Sequence, residues 1–488
     1  MPNPTLRRRP SPARRFAALA AAAALVAGRA AAAEPPDLTP TFRYEAPAGA
    51  HRLRAAAEIG GFLALGGVAW LFAPSRTAAP GSKADGVRLD ANPFRTNFAG
   101  HPISGAIYYE LARSNRLSAA ESALWSVAGS TVWEAVEYTE PASLNDLVVT
   151  PVAGVALGAP LFELAAHLDR GPRTTAREVL AWILAPPKKA HDLLDGARPA
   201  RGAPGDALEA SSGASAGATR AGGEWRGELR AHAAFRLVRD PRWGAPGEGT
   251  EVLRDAAVTG LSLDLALSSS GLADLSFGSW VHLAAVHRRA LAEDGAALRG
   301  TESLAGAGAG FAVRMHDWGL GALDRLAVAE LPALAAEGRW RSGALRLSAR
   351  ISAAPTFGGV ASPALARDPD AVPPEDVPTV QSAWHYHFAV GAALAPSIEL
   401  AWGRVALEAS GRADWLWGVT EPDADPARSP AAHFLDRWVD GRIGARVAVA
   451  RSVELSASAT RRVRRSEANQ ASLDVADTSF AAGLAWRP

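Results

Sequence analysis

A compact group of polar side chains that could hold a ligand or carry out acid–base chemistry lies between residues 97 and 146. Its members are Asn97, His101, Tyr108, Tyr109, Arg113, Glu134, Glu137, Asn145 and Asp146. A histidine beside a carboxylate can act as a general base, and a histidine with two carboxylates can bind a divalent metal ion. We therefore take this group, called the polar cluster below, as the candidate site.

Two helices must position the polar cluster. His101 begins a helix predicted over about residues 101–114, which Pro102 opens at a position that proline tolerates. Glu134 and Glu137 lie near one face of the next helix, predicted over about 118–138. A short connection would make the two helices antiparallel neighbours. We expect His101 to meet Glu134 or Glu137.

Three interpretations of the polar cluster stay open at this stage. The side chains can be buried groups that pair with each other and fix the packing of the helices. They can contact a solute or a lipid on a ligand path. They can also form an envelope enzyme site in which His101, Glu134 and Glu137 carry the chemistry. The chain has no His-Glu-x-x-His motif, and one histidine with two carboxylates is a weak metal signal. The sequence predicts no cofactor and no metal.

Composition excludes several classes of protein. Lys and Arg number 51 against 50 Asp and Glu, so the basic excess of a nucleic-acid-binding protein is missing. The chain has no cysteine, which excludes disulfides, thiolate metal sites and a cysteine nucleophile. Any attachment to a membrane must therefore come from other features of the chain.

The first 33 residues are typical of a secretory signal. Arginines at 7–9 and 14–15 precede an apolar run over 16–26, and three alanines end at Ala33. A retained membrane anchor is the alternative, but the apolar run is shorter than the roughly 20 residues that span a bilayer. We expect export and cleavage near Ala33, followed by a proline-rich leader over residues 34–50.

Three segments follow the leader. Residues 51–196 show helical patterns, and the last of these, over about 174–194, is interrupted at Pro186 and Pro187. Residues 197–222 are dominated by Pro, Gly, Ala and Ser, which predicts a flexible linker. Residues 223–488 alternate apolar and polar side chains with a period of two, as β-strands do.

The strand-rich segment predicts an antiparallel transmembrane β-barrel of about 10–12 strands. A soluble β-sandwich also alternates, but these runs are long enough to cross a membrane as tilted strands. The faces expected to line the lumen carry both signs of charge: Asp264, Arg346, Arg350, Glu408, Arg412, Asp414, Arg442, Arg446 and Glu454. Such charges can line a channel or pair into a network that closes it, and limited interior room favours the closed state.

The helical segment resembles a known family. The motifs that carry the resemblance are Asn97-Phe-Ala-Gly-His101-Pro-Ile-Ser-Gly105-Ala-Ile-Tyr108-Tyr109, Trp133-Glu134-Ala-Val-Glu137, Pro141-Ala-Ser-Leu-Asn145-Asp146 and Thr150-Pro-Val-Ala-Gly154. They are similar to the signature of an exported bacterial family with domain of unknown function 3943. The resemblance covers about residues 55–170. It implies a location in the cell envelope and supplies no reaction.

Together these observations predict an outer-membrane protein of mixed α+β class. We expect the helical segment to plug the barrel or to form a periplasmic domain. The expected role is structural, or the binding of a solute or lipid. The expected partners are outer-membrane lipid and the outer-membrane assembly machinery, since the chain ends on a strand with an aromatic residue, Trp486, near its end. No nucleic-acid partner is expected, and the sequence names no small-molecule ligand.

Overall fold

The computed structural model describes most of the chain downstream of the predicted signal sequence. The described residues are 49–71, 87–89, 92–137, 142–196, 206–295, 297–320, 323–362, 386–419, 434–468 and 471–487. The predicted signal sequence and cleavage position, as well as nearly all of the predicted leader, lie outside these residues.

Within the described residues, the part of the chain that precedes the barrel strands forms a helical unit, residues 52–194. Its helices are α1 (Arg52–Leu71), α2 (His101–Ser114), α3 (Ala119–Val136), α4 (Leu144–Arg170), α5 (Thr175–Leu184) and α6 (Pro186–Leu194). A π-helical turn (Thr96–Gly100) leads into α2, and two short parallel strands, β1 (Val87–Arg88) and β2 (Ala142–Ser143), flank α2 and α3.

Local sequence signals explain where several of these helices begin. The side chain of Ser118 accepts a hydrogen bond from the backbone N–H of Glu121, so it caps the N-terminus of α3. Ser143 caps α4 in the same way through the N–H of Asp146. The proline pair at 186–187 separates α5 from α6, because proline has no N–H to donate and its ring disfavours the helical conformation of the preceding residue, Ala185.

Helices α2 and α4 approach each other closely because glycines lie at their crossing point. A Cβ atom added to Gly105 would lie 1.9 Å from the carbonyl oxygen of Thr150, and one added to Gly154 would lie 2.4 Å from the carbonyl carbon of Gly105. Only residues without a side chain permit this backbone contact. Small residues at helix crossings are typical of membrane-embedded helices, where tight packing replaces the hydrophobic effect.

Twelve strands within the described residues close into an antiparallel barrel. They are β3 (Ala207–Ala221), β4 (Glu224–Val238), β5 (Gly247–Ser268), β6 (Gly271–Asp294), β7 (Ala297–Asp317), β8 (Leu323–Ser342), β9 (Leu345–Ala361), β10 (His387–Trp402), β11 (Val405–Gly418), β12 (Leu435–Ala450), β13 (Val453–Ala468) and β14 (Ala471–Trp486). Each strand pairs with the next, and β14 pairs with β3 to complete the ring. Both the barrel and its predicted upper strand number are confirmed.

The predicted flexible linker over residues 197–222 is wrong where it overlaps β3. Residues 207–221 form a full strand that pairs with β4 on one side and with β14 on the other. The small side chains of this strand bury little apolar surface. Inside a closed barrel, however, hydrogen bonds from two neighbouring strands hold a segment that composition alone assigns to a linker.

Ion pairs between strands that are not neighbours identify the interior of the barrel. Arg314 on β7 lies 2.8 Å from Asp414 on β11, and Arg462 on β13 lies 2.6 Å from Asp274 on β6. These side chains can meet only across the lumen. The strand registers place every charge that we predicted to face inward on this same face. The predicted mixed-charge lumen is therefore confirmed.

The opposite face of the strands carries large apolar side chains that are exposed. Ile398 on β10, Leu407 on β11, Ile443 on β12 and Leu484 on β14 are each about half exposed or more, with Ile443 at 64%. A closed antiparallel ring with an apolar exterior and a charged interior is the architecture of an outer-membrane barrel. The chain therefore has the fold of an outer-membrane barrel protein with an N-terminal helical unit.

The helical unit packs on the outer wall of the barrel. The core between them joins Val152 and Ala156 of α4 to Val281 on β6 and Phe311 on β7, which share the outward face. Phe98 fills the space above Gly359 on the outward face of β9. We expected either a plug inside the barrel or a periplasmic domain. The plug is wrong, because α4 packs on the apolar outer wall and not in the charged lumen, and the periplasmic domain stays a prediction. By length and composition α4 could also cross a membrane, although most of its apolar stretch is buried here.

Candidate functional site

The polar cluster forms where α2 and α4 begin. His101, the first residue of α2, places its Nε2 atom 3.4 Å from Oδ1 of Asp146 in the first turn of α4. Burial lowers the pKa of His101 from its usual value to about 4, because the charged imidazolium loses its hydration. His101 is therefore neutral near pH 7. The expected contact of His101 with Glu134 or Glu137 is replaced by the contact with Asp146.

A chain of hydrogen bonds continues from Asp146 towards the end of α3. The amide of Asn145 donates to Asp146 Oδ1 at 2.7 Å, and the hydroxyl of Ser143 donates to Asn145 Oδ1 at 2.9 Å. The backbone N–H of Ser143 in turn donates to Glu134 Oε2 at 2.7 Å. Asn145, Asp146 and Glu134 are buried, so the polar cluster binds the starts of α2 and α4 to the end of α3.

Asn97 connects the polar cluster to the barrel. Its side-chain amide donates a 2.9 Å hydrogen bond to the hydroxyl of Tyr386, which itself donates to the carbonyl of Asn92 at 2.7 Å. Tyr386 directly precedes β10 and packs edge-on against Phe94. A buried polar contact within an aromatic cluster thus fixes where the helical unit sits on the barrel wall.

The two tyrosines of the polar cluster lie on different faces of α2. Tyr108 packs edge-on against Phe62 of α1 and over Gly129 of α3, and burial raises its pKa to about 12. Tyr109 is fully buried in the core between α4 and the barrel, and burial raises its pKa well above the usual value. Both are therefore neutral phenols with packing roles, and neither is placed to donate a proton to His101.

Arg113 lies at the far end of α2 and belongs to a separate buried ion cluster. It contacts Glu163 of α4 at 2.9 Å and Asp255 of β5 at 3.1 Å. Arg239, just after β4, reaches the second oxygen of Glu163 at 3.1 Å. Sequence reasoning missed Glu163, Asp255 and Arg239, because each lies at least 50 residues from Arg113 and no local motif connects them.

This arrangement favours packing over catalysis. Glu137 is only half-buried and lies beyond the end of α3, so His101 lacks the pair of carboxylates that a metal or proton-transfer site would need. The pattern Gly213-Ala-Ser215-Ala-Gly217 fits a serine-nucleophile motif in letters alone. It lies in the middle of β3, away from any strand-to-helix turn. The enzyme alternative is not favoured.

A second polar site lies on the outer wall at one rim of the barrel. Arg220, Gly223, Trp225, Arg461, Ala476, Thr478 and Phe480 line an open cavity of about 440 Å³. The guanidinium of Arg461 donates to the hydroxyl of Thr478 at 2.8 Å, and the rings of Trp225 and Phe480 lie 6.1 Å apart. Two arginine side chains thus lie near two aromatic rings on the outward face of the barrel. We call this the rim pocket.

Comparison with known proteins supports the family resemblance of the helical unit. Residues 86–187 match the model of DUF3943, a domain of unknown function. The matched region contains the whole polar cluster, and the expected resemblance is confirmed. No curated protein matches the chain.

Solved structures similar to this chain include several bacterial outer-membrane barrels. OmpT, an outer membrane protein of Vibrio cholerae, is 9% identical, with 58% of this chain and 98% of that chain covered and a TM-score of 0.22. The translocator domain of autotransporter NalP from Neisseria meningitidis is 11% identical, with coverage of 62% and 97% and a TM-score of 0.21. A FadL homologue of Pseudomonas aeruginosa is 8% identical, with coverage of 58% and 90% and a TM-score of 0.23. The closed barrel itself rests on the strand pairing described above.

Proposed function

We propose that this protein, whose helical unit carries the DUF3943 domain, is a non-conducting outer-membrane barrel that binds membrane lipid. The observation that carries the proposal is the position of the helical unit on the outer wall, on the face that lipid covers elsewhere around the ring. The barrel then serves as a scaffold, and the lipid-facing surfaces of strands and helices carry the function.

The filled lumen supports a non-conducting role. Besides the pairs that join β6, β7, β11 and β13, Arg464 on β13 reaches Asp324 on β8 at 3.2 Å. Nearer the other end, Arg236 on β4 reaches Glu337 on β8 at 2.6 Å. These contacts recur at several levels along the barrel axis. A solute would have to break buried ion pairs at each level, and each broken pair is costly in a low dielectric.

Exposed apolar side chains on the helical unit support contact with lipid. Leu65 on α1, Leu124 on α3, Ile183 on α5 and Leu194 on α6 are each more than two-thirds exposed. These side chains point away from the core of the unit, which packs on the outer wall, so they offer apolar groups to the membrane. We propose that this surface contacts acyl chains.

The rim pocket supports recognition of a lipid headgroup. It lies at the connection between β3 and β4, at the same rim as the longest connections between strands, residues 362–386 and 419–434. Longer connections are typical of the cell-exterior end of such barrels. Arg220 and Arg461 can bind a phosphate there, while Trp225 and Phe480 hold the boundary between headgroup and acyl chain.

Binding of anionic lipid tests the proposal. The whole protein is placed in vesicles of phosphatidylcholine with and without phosphatidylglycerol, and its melting temperature is measured. We expect the anionic lipid to raise the melting temperature, and we expect the double variant Arg220→Gln, Arg461→Gln to lose that increase. Inorganic phosphate added to phosphatidylcholine vesicles should have little effect, because it lacks the acyl chains.

A matched control is Arg465→Gln, which removes another outward arginine of β13 that pairs with Glu467. This variant should keep the response to anionic lipid. An equal response in wild type and in the double variant would contradict the rim pocket. No response of the wild type to anionic lipid would contradict the lipid-binding role.

Two further expectations belong to this proposal. Export with cleavage near Ala33 would deliver the chain to the periplasm. The outer-membrane assembly machinery would then insert the barrel, with β14 and its Trp486 as the strand that the machinery engages. The N-terminal sequence of the mature protein, purified from outer membranes, tests the first expectation. Loss of insertion on removal of residues 471–488 tests the second.

A further inference from the structure

Three carboxylates surround one buried histidine inside the barrel, at the end where tight turns join the strands. The histidine is His287 on β6, and the carboxylates are Asp240 in the connection between β4 and β5, Glu251 on β5 and Glu302 on β7. All four side chains are buried. This group is separate from the polar cluster and from the rim pocket.

The atoms of this group are arranged as ligands around one point. Nδ1 of His287 lies 2.7 Å from Oδ2 of Asp240 and 3.5 Å from Oε2 of Glu251, and the three ligand atoms all lie within 4.8 Å of one another. Arg242 contacts the other oxygen of each carboxylate, Oδ1 of Asp240 at 3.1 Å and Oε1 of Glu251 at 2.9 Å. One oxygen of each carboxylate is thereby left facing the imidazole.

One of these facing oxygens lacks a hydrogen bond. Among the described residues no donor reaches Oε2 of Glu251, although its side chain is only 7% exposed. A buried carboxylate oxygen without a donor costs free energy unless a cation satisfies it. The oxygen lies 3.5 Å from His287 Nδ1, and a shared cation would lie between these two atoms.

The other nitrogen of His287, Nε2, contacts a carboxylate and so leaves Nδ1 for the proposed ion. Nε2 lies 3.1 Å from Oε1 of Glu302, so Nε2–H can donate to that carboxylate. Nδ1 lies in hydrogen-bond contact with Oδ2 of Asp240 at 2.7 Å, and a bound cation would displace the proton between them and take the Nδ1 lone pair. A histidine that binds a metal typically donates its other N–H to a carboxylate in this way, and the contact fixes the ring and its tautomer. Glu302 would therefore be a positioning residue and not a ligand.

We propose that Asp240, Glu251 and His287 bind a divalent transition-metal ion, with Zn²⁺ the best match. One imidazole nitrogen and two carboxylate oxygens form a ligand set that Zn²⁺ accepts, and the fourth position is open to water. The softer, thiolate-preferring ions are disfavoured, because the chain has no cysteine. Arg242, 29% exposed, separates the site from solvent.

The bound ion would fasten the β4–β5 connection across the end of the lumen. The same connection carries Trp243, whose ring lies under the guanidinium groups of Arg236 and Arg339 at 4.9 and 4.5 Å. The indole N–H of Trp243 donates to Glu209 on β3 at 3.1 Å. The metal would join this connection to β5 and β6, and would hold the aromatic cap in place.

Metal binding by the whole protein tests the proposal. The protein is purified in detergent, treated with a chelator, incubated with Zn²⁺ and dialysed, and its zinc content and melting temperature are measured. We expect about one retained Zn²⁺ per chain and a melting temperature that rises with Zn²⁺. Wild type that retains no zinc, with an unchanged melting temperature, would overturn the proposal and leave His287 as a protonated bridge between carboxylates.

Variants locate the ion. His287→Gln and Glu251→Gln should each lose the retained zinc, and Glu302→Gln should weaken binding by roughly 10–100-fold. The control is His232→Gln, which alters another lumen histidine, one that contacts Asp264 instead. It should keep both zinc and the rise in melting temperature. Zinc retained equally by His287→Gln would place the ion elsewhere and overturn the proposal. If His287→Gln fails to fold, the affinity of Glu302→Gln decides the matter.

Discussion

At the scale of single residues, His101 and Asp146 are the point at which two helix N-termini meet. Asp146 accepts from Asn145 and lies within reach of His101, while its own backbone N–H is capped by Ser143. Each side chain therefore depends on its neighbours for a partner. The stability of the helical unit should respond to changes at this point in a cooperative way.

His101→Ala should lower the free energy of unfolding by about 1.5–3 kcal/mol, because it removes one of the partners of a buried carboxylate. Asp146→Asn should also destabilise, and the double variant should lose less than the sum of the two by at least about 0.5 kcal/mol. Urea unfolding in detergent measures these values. The pair His101→Ala and His232→Gln, which share no partner, should be additive. Additive losses for His101 and Asp146 would contradict the network.

Lowering the pH should reduce the free energy of unfolding, because the unfolded chain binds a proton at His101 more readily than the folded protein does. The His101 pKa of about 4 in the folded state lies below the usual value of 6.5, so the unfolded chain takes up the proton first as the pH falls. The stability contributed by neutral His101 is therefore complete above pH 6.5 and is lost between pH 6.5 and 4. Between pH 7 and pH 5, the free energy of unfolding of wild type should fall by about 2 kcal/mol more than that of His101→Gln. A relative gain instead would show that Asp146 outweighs burial.

Only part of these residue contacts could be predicted from the sequence. Spacing placed the members of the polar cluster on neighbouring helices. The contact of His101 with Asp146 was not predictable, because it depends on α4 beginning at Leu144, directly after its cap Ser143 and beside the start of α2. The group around His287 was missed for a different reason. Its members come from four different segments and meet only when β5, β6 and β7 pair.

At the scale of elements, the crossing of α2 and α4 is the closest helix–helix contact described in the helical unit. Their backbones touch at Gly105 and Gly154, and α4 continues from this crossing to the strands β5 to β9. Tight crossing and docking on the wall are thus properties of the same helix. A change that separates α2 from α4 should also disturb the contact with the barrel.

Gly105→Ala should destabilise the protein by more than about 2 kcal/mol, since its Cβ would lie 1.9 Å from the carbonyl oxygen of Thr150. Gly60→Ala is the matched control. Gly60 also lies within a helix, α1, but a Cβ there meets nothing within 4 Å. That change should be neutral or stabilise by up to about 1 kcal/mol through helix propensity. Equal effects in the two variants would contradict the close crossing.

Deletion of residues 207–221 should abolish the folded barrel. It would leave the edges of β4 and β14 without partners, and each unpaired backbone group in lipid costs several kcal/mol. Electrophoresis of unheated samples measures this, because a folded barrel migrates differently from the heated chain. Ser212→Ala, which keeps the strand, should retain the difference. Normal migration after the deletion would revive the linker interpretation.

At the scale of the whole molecule, one wall separates two environments and explains where each part of the chain lies. The lumen is charged and accepts charged side chains, while the outer wall is apolar and accepts the apolar helix α4. The alternating strands and the inward charges followed from the sequence pattern. The sequence alone did not predict on which side of the wall the helices lie, since an apolar helix is compatible with a plug, a periplasmic core or a lipid-facing position. That position followed only when the two faces of the strands were compared.

The closed lumen predicts that the protein does not conduct ions. Reconstituted in planar bilayers, the protein should show no steady stepwise current at moderate voltage, because ion pairs cross the interior at several levels. An open porin added to the same bilayer checks that insertion would be detected. Regular conductance steps from this protein would contradict the closed lumen and return solute transport to consideration.

The pairing of β3 with β14 and the order of the elements along the chain also constrain the order in which the protein folds. The ring cannot close until the last strand has been synthesised and exported, yet the helices precede every barrel strand in the chain. The wall on which α4 rests, β5 to β9, follows the helices in the chain, so it is not yet formed when the helices emerge. During that interval the docking face of α4, which includes Val152 and Ala156, has nothing to cover it. The strands β5 to β9 must therefore pair before the helices can dock on them.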